Sequence, residues 1–393
     1  MGIARDRGRR RESRATGDEG GLRVHSYITR SVRLSAVPLL LAGVAGGAAP
    51  ATAAAARARS SAPAGSFTIS GQLFGVAATS AGNAWAVGDT PSGKTLIVHW
   101  NGQVWKQVPS PSPSSAKFGN ELESVAATSA SNAWAVGDTS TSTSSSALIL
   151  RWNGTSWKRV PSPSVAGGFG LTGVAATSAQ DAWAVGPNVI LHWNGTVWKR
   201  VPGTGPAGTF LAGIAATSAS NVWAVGSHGT TLPKTLTVHS AGTTWRQVPS
   251  PSPNDQNGDT LHGVTAVSTH SAWAVGCSFS CMTGGLGDGL ILQWNGTAWK
   301  NARSPRSSYL AGVAATSAQD AWAVGALGTL PVSKTVIVHW NGKTWTLVPS
   351  PSPPQSGLAD VAATSADNAW AVGSSGISHP KTLILRWNGT AWK

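Results

Sequence analysis

The residues able to do chemistry are few, and most of them recur. His99, His192, His239 and His339 share one place in a repeated phrase, which Arg151, Gln293 and Arg386 hold elsewhere. An imidazole that exchanges with a guanidinium and an amide reads as a tolerant polar position, not a metal ligand. His228, His262, His270 and His379 read as scattered loop residues without ligand spacing. Beyond residue 65 the only glutamates are Glu121 and Glu123, beside nine aspartates. Asp181, Asp320 and Asp367 sit in a repeated turn, where Asp or Asn is ordinary turn chemistry. Glycoside hydrolysis needs a placed carboxylate pair, and none stands out. The P-loop, Gly-x-Ser-x-Gly and His-Glu-x-x-His motifs are absent. Cys277 and Cys281 are the only cysteines. Two thiols alone make a poor zinc site, so a local disulfide is expected, with a small entropic effect for so short a loop. These residues predict no catalytic set, no metal and no cofactor.

The elements that carry them are tandem repeats. Asn-Ala-Trp-Ala-Val-Gly or a close relative occurs seven times, with its Trp at Trp85, Trp134, Trp183, Trp223, Trp273, Trp322 and Trp370. Leu-x-x-Val/Ile lies ahead of each, from Leu73 and Val76 to Leu358 and Val361, and Trp-Asn-Gly-x-x-Trp lies behind most. Three Trp per repeat become 20 in all because Ser240 replaces one. Repeats of this length with four strands each are blade-sized.

The first repeat reads as strands Val76–Ser80, Ala84–Val87, Thr95–Trp100 and Val104–Val108. Asn101-Gly102 predicts a two-residue type I′ hairpin turn, which sets Trp100 opposite Gln103 and Val98 opposite Trp105. Asn153, Asn194, Asn295 and Asn388 begin Asn-Gly-Thr, a hairpin signal before it is a glycan acceptor. Alternation places Leu96, Val98, Trp100 and Trp105 on one face, and Ile97, Val104 and Val108 on the other, with His99 and Lys106. Both faces are partly apolar, so each sheet needs a cover on both sides. Radial stacking supplies it, and the fold expected is an all-β, seven-bladed β-propeller of four-stranded antiparallel blades. Small residues put the first strand at the crowded centre. Pro109-Ser110-Pro111-Ser112-Pro113 ends the fourth at an outer edge and makes the crossover. Phe67-Thr68-Ile69 is expected to pair at the edge of blade seven.

Charge and hydropathy divide the chain. The net charge is +14, half of it within residues 1–65. Leu34 to Ala56 carries no charge, follows Arg30 and Arg33, and holds Ala49-Pro50-Ala51 and Ala51-Thr52-Ala53. That is the pattern of a cleaved secretory signal, with no membrane span left after cleavage. The expected organisation is a leader at 1–53, a linker and ring-closing segment at 54–72, and the propeller at 73–393. Repeats begin near 73, 122, 171, 211, 261, 310 and 358. Basic residues of the propeller recur just after a Trp (Lys106, Lys158, Lys199, Arg246, Lys300, Lys393) and read as solvated edge charges. A clustered patch for nucleic acid is missing.

Asn-Ala-Trp-Ala-Val-Gly followed by Leu-Ile-x-His/Arg-Trp-Asn-Gly-Thr-x-Trp-Lys-x-Val-Pro resembles the Trp-rich repeats of secreted bacterial propellers. It is also similar to tectonin repeats and, more loosely, to kelch and galactose-oxidase-like propellers. The tectonin resemblance implies lectin-like glycan or surface binding. Copper-radical oxidase chemistry is excluded, since Tyr309 is the only Tyr besides Tyr27 of the leader. The expected function is a secreted, monomeric, non-catalytic module binding a surface glycan or protein. A hydrolase or lyase with its site at the channel is the alternative. Loops between second and third strands vary most and share a face with the crossovers, which makes that face the candidate surface. His228, Ser278, Phe279 and Asp288 are its candidate residues.

Overall fold

The computed structural model describes residues 67–393, apart from 117–118, 142–143, 165–169, 203–207, 230, 242–243, 255, 257, 279–288, 306–308 and 329–332. The signal-peptide reading falls on residues outside these. Seven antiparallel sheets follow one another, each with its strands in chain order. Blade one is β1 (Gln72–Ser80), β2 (Asn83–Asp89), β3 (Thr95–Trp100) and β4 (Trp105–Gln107). The seventh sheet has three strands, Ser356–Ser365, Asn368–Ser375 and Lys381–Trp387, with Trp392 bridging to Trp387 in the fourth place. First strands of successive blades touch in a closed circuit, the seventh returning to the first. The first strand is therefore innermost, and the sheets form a seven-bladed β-propeller.

Second strands are buried on both faces, as a strand between two covered layers must be. Their Trp residues hold the blades together. Trp85 packs against Trp152 and edge-on against Trp157 of the next blade, at 4.9 and 5.2 Å between ring centres. The pattern recurs around the ring to Trp370, which meets Trp100 and Trp105 of blade one. Only Trp183 has a single indole partner, Trp245, because Ser240 stands where the other would be. Edge-to-face pairs of this kind contribute about 1 kcal/mol each beyond area burial. Fourteen Trp Nε1 groups, two per blade, are buried without a conventional acceptor. Neighbouring π faces are what the edge-on geometry offers them.

The register of the outer hairpin differs from the one the Asn-Gly pair predicts. Trp100 lies opposite Trp105 and His99 opposite Lys106, not Gln103 and Val104. The Asn101 carboxamide oxygen accepts from the N–H groups of Gln103 and Val104, and Gly102 takes a φ of 93°. The side chain thus stabilises a four-residue loop in place of a two-residue turn. The slip is two residues, an even number, so every side chain keeps its expected face.

The inner strand carries a feature that alternation does not reveal. Its pairing with the second strand jumps between Leu73 and Gly75, leaving Phe74 as a β-bulge, and five more blades repeat the jump. The bulge presses the Gln72 carbonyl onto Gly88, where a Cβ would lie 1.9 Å from the oxygen. That explains the invariant Gly after Ala-Trp-Ala-Val. Blade seven meets blade one without a covalent crossover. There Thr382 N–H donates to Ile69, Gly71 N–H donates to Pro380, and Ile69 N–H donates to Thr382 Oγ1. Phe67 and Ile69 also pack against the core at this seam. Residues 67–71 occupy the place that Ser110–Ser112 take beside Thr95 in blade one.

Candidate functional site

The recurrent polar residues are consumed by the scaffold. His99 stacks on Trp85 at 4.0 Å and bonds Asn83, whose amide donates to Thr79. His192 and His339 do the same with Asp181 and Asp320, which accept from Thr177 and Thr316. His239 uses Asn221 and Thr217. In blades two and seven, Arg151 and Arg386 lie 4.9 Å over Trp134 and Trp370 and bond Asn132 and Asn368. The shared position is thus a flat cation or imidazole laid on an indole and tethered to the turn. Among the described residues no group of three His, Cys, Asp or Glu could hold a metal ion.

Residues that break the repeat are elsewhere. The bulge position reads Phe74, Glu123, Thr172, Ala212, His262, Ala311 and Ala359 around the ring, and Tyr309 opens the inner strand of blade six. These residues lie near the start of inner strands, where the crossovers arrive, so they surround one mouth of the central channel. His262 is an inner-strand residue, not the loop residue its spacing suggested. Its ring lies 4.9 Å from that of Tyr309 in the next blade, and its Nε2 is 3.6 Å from Cys277 Sγ. Glu123, on blade two, stands across the ring from blade six, yet its charge reaches Tyr309.

Enclosure sets the protonation of these groups. Burial lowers His262 to about 4 and, with the Glu123 charge adding to it, raises Tyr309 to about 12. Both are neutral at pH 7. Neither the Tyr309 hydroxyl nor His262 Nδ1 has a hydrogen-bond partner among the described residues. Asp360 takes the place that Gly holds in five blades and Ser124 in one. Burial raises its carboxyl to about 7, although Val76 N–H across the seam and Val361 N–H both donate to it, at 2.9 and 2.8 Å. The described inner strands carry Glu121, Glu123, Asp259 and Asp360 but no Lys or Arg. Basic residues stand on third and fourth strands, farther from the axis, and Lys106, Lys158, Lys199, Arg246 and Lys300 are exposed there.

Of the residues singled out on the loop face, His228 and Ser278 end the second strands of blades four and five, His228 half-buried and Ser278 buried. Phe279, Asp288 and Cys281 lie outside the described residues. Glu123, His262 and Tyr309 escaped as a set because each was weighed by type. Aligning the repeats at the bulge position was the signal that could have found Glu123 and His262; Tyr309 lies two residues ahead of it in blade six.

No family model matches the chain, and no curated protein matches it either. Solved structures share its fold. YCF48 bound to D1 peptide is 15% identical with a TM-score of 0.53, covering 82% of this chain and 96% of that one. The extracellular domain of BT4673 from B. thetaiotaomicron is 11% identical with a TM-score of 0.53, over 80% of this chain and 38% of that one. An ulvan lyase of polysaccharide lyase family PL25 is 9% identical with a TM-score of 0.57, over 81% and 92%. At these identities the likeness is one of fold: the chain is similar to propellers.

Proposed function

We propose that the chain is a secreted binding module that holds a surface glycan or protein against the loop-bearing face of the propeller. One observation carries this reading: the repeats agree where they build the scaffold and disagree at the channel mouth and at the loops beside it. A symmetric ring needs no Glu123, His262 or Tyr309, so these are asymmetric additions to a finished fold. The leader and the Cys277–Cys281 pair belong to the same reading, since an oxidising compartment favours a local disulfide. Neighbours of the same fold include an extracellular domain and a propeller bound to a peptide, which supports a binding role. The test is retention of the protein on cell-wall and host-surface material, with and without residues 277–288. Retention that is unchanged by the deletion counts against the loop face.

A lyase or hydrolase is the second reading, favoured by an ionisable channel mouth and by a polysaccharide lyase of the same fold. The protonation states weaken it. An imidazole near 4 is a poor proton acceptor at neutral pH, and the Asp360 carboxyl is occupied by two backbone N–H groups. A panel of polysaccharides, read for new reducing ends and for unsaturated products, separates the readings.

A further inference from the structure

We infer that the loop-bearing face carries a docking arc for an anionic polysaccharide, built from Lys334, Lys381 and Lys94 in the consecutive blades six, seven and one. The inference deepens the binding reading and rests on it. The three lysines hold one place, at or just before the loop-side start of the third strand. Each is fixed against the blade that follows. The carbonyl before each lysine accepts an N–H from the head of the next blade: Ser333 from Ser356 at 3.3 Å, Pro380 from Gly71 at 2.9 Å and Gly93 from Asn120 at 3.1 Å. The Thr after each is tied to the crossover, Thr335 to Ser350 and Ser352, Thr95 to Ser110 and Ser112, and Thr382 to Ile69 at the seam. The backbone is thus clamped on both sides of the lysine, and the side chain itself is exposed.

The charge of the arc is unanswered within the chain. Among the described residues no ion pair engages Lys94, Lys334 or Lys381. Asp367, the one exposed Asp or Glu among them, lies in a turn between first and second strands on the opposite side of the disc. Packed sheets stand about 10 Å apart, so the outer lysines of the arc are separated by roughly 20 Å or more, and one small anion cannot neutralise all three. A polymer with anionic groups repeated along its length meets them in turn. Among polyanions the face favours a glycan. No Trp, Phe or Tyr among the described residues is exposed, so the bases of a single strand find no stacking platform. One cation per blade is sparse beside a duplex, which carries a charge every ~1.7 Å. A glycan with a carboxylate or sulfate on each repeating unit has the lower charge density that this spacing matches.

The test uses the full chain and calorimetric titration with oligomers of polygalacturonate and of dextran sulfate, and with neutral dextran, polyglutamate and duplex DNA as the other arms. An anionic glycan should bind, neutral dextran should not, and the affinity should fall as salt rises from about 50 to about 300 mM. Replacing Lys94, Lys334 and Lys381 together by Gln should weaken binding at least about tenfold, or about 1.4 kcal/mol shared by three exposed ion pairs. A control variant with Lys106, Lys199 and Lys300 replaced by Gln makes the same change of charge on fourth strands and should bind within about twofold of wild type, both variants keeping wild-type circular dichroism. No binding of either anionic glycan, equal binding of neutral dextran, tighter binding of polyglutamate or DNA, or equal losses in the two variants overturns the inference. Retention on cell-surface material is read separately. If the arc variant is retained like wild type while deletion of residues 277–288 abolishes retention, the arc fails and the binding module stands.

Discussion

Replacing Asp360 by Asn should change how stability depends on pH, and the size of the change follows from two enclosed groups. The Asp360 carboxyl sits near 7 when folded against an ordinary 3.8. At about 1.4 kcal/mol per unit, ionising it costs about 4 kcal/mol of folding free energy as an upper figure. Its folded value is raised, so its contribution is complete below pH 3.8 and is lost as pH rises through 7. His262 works in the opposite sense. Its folded value is depressed from 6.5 to about 4, so its contribution is complete above 6.5 and is lost as pH falls through 4. Between these limits the two slopes oppose each other, and the wild-type curve should be nearly flat. Asp360→Asn removes the falling limb. Loss of one backbone hydrogen bond at Val76 or Val361 shifts that curve by a constant, without a pH slope. The variant should therefore gain about 3 kcal/mol relative to wild type between about pH 4 and 6.5. Urea unfolding followed by Trp fluorescence at steps across that range gives the difference directly. Variant and wild-type curves that stay parallel within about 1 kcal/mol refute the reasoning.

Other outcomes follow from the packing. Trp322→Ala removes an indole that is 1% exposed and touches His339, Trp387 and Trp392, and should cost about 3–5 kcal/mol in chemical denaturation. Gly312→Ala would place a Cβ 2.7 Å from the Asp360 Cα, so the two inner strands must part, and a loss of about 1–3 kcal/mol is expected from the same assay. Deleting residues up to and including 71 removes the three hydrogen bonds at the seam with blade seven, and should lower stability by roughly 3 kcal/mol relative to a chain starting at 67.

Much of the fold was readable because its signals are local and repeated. Ala-Trp-Ala-Val-Gly, the Asn-Gly turn and the Pro-Ser-Pro crossover fix the number of blades, the strand order and the face of each Trp. The outer hairpin register was not readable, since a two-residue turn and a four-residue loop stabilised by Asn101 share the same Asn-Gly letters. The bulge was hidden as well: Leu73-Phe74-Gly75-Val76 passes for plain alternation, and only pairing with Gly88 shows Phe74 to be extra. That one displaced residue per blade is why the channel mouth stayed out of sight. Glu123 and His262 occupy bulge positions that a period-2 reading spends on a blade face. Tyr309 acquires meaning only beside His262, which belongs to another repeat. The recurrent histidines were read as tolerant polar positions, and their stacking on Trp explains why Arg is an acceptable substitute.

The claim on which the account turns is that partners engage the loop-side mouth and not the turn side of the disc. The most direct test compares retention on cell-surface material by two sets of folded variants. One set is His262→Ala and Tyr309→Phe at the mouth; the other is Asn101→Ala and Asn388→Ala in the exposed turns on the far side. The account predicts that only the mouth variants lose retention. Loss confined to the turn variants, with the mouth variants behaving as wild type, would contradict it.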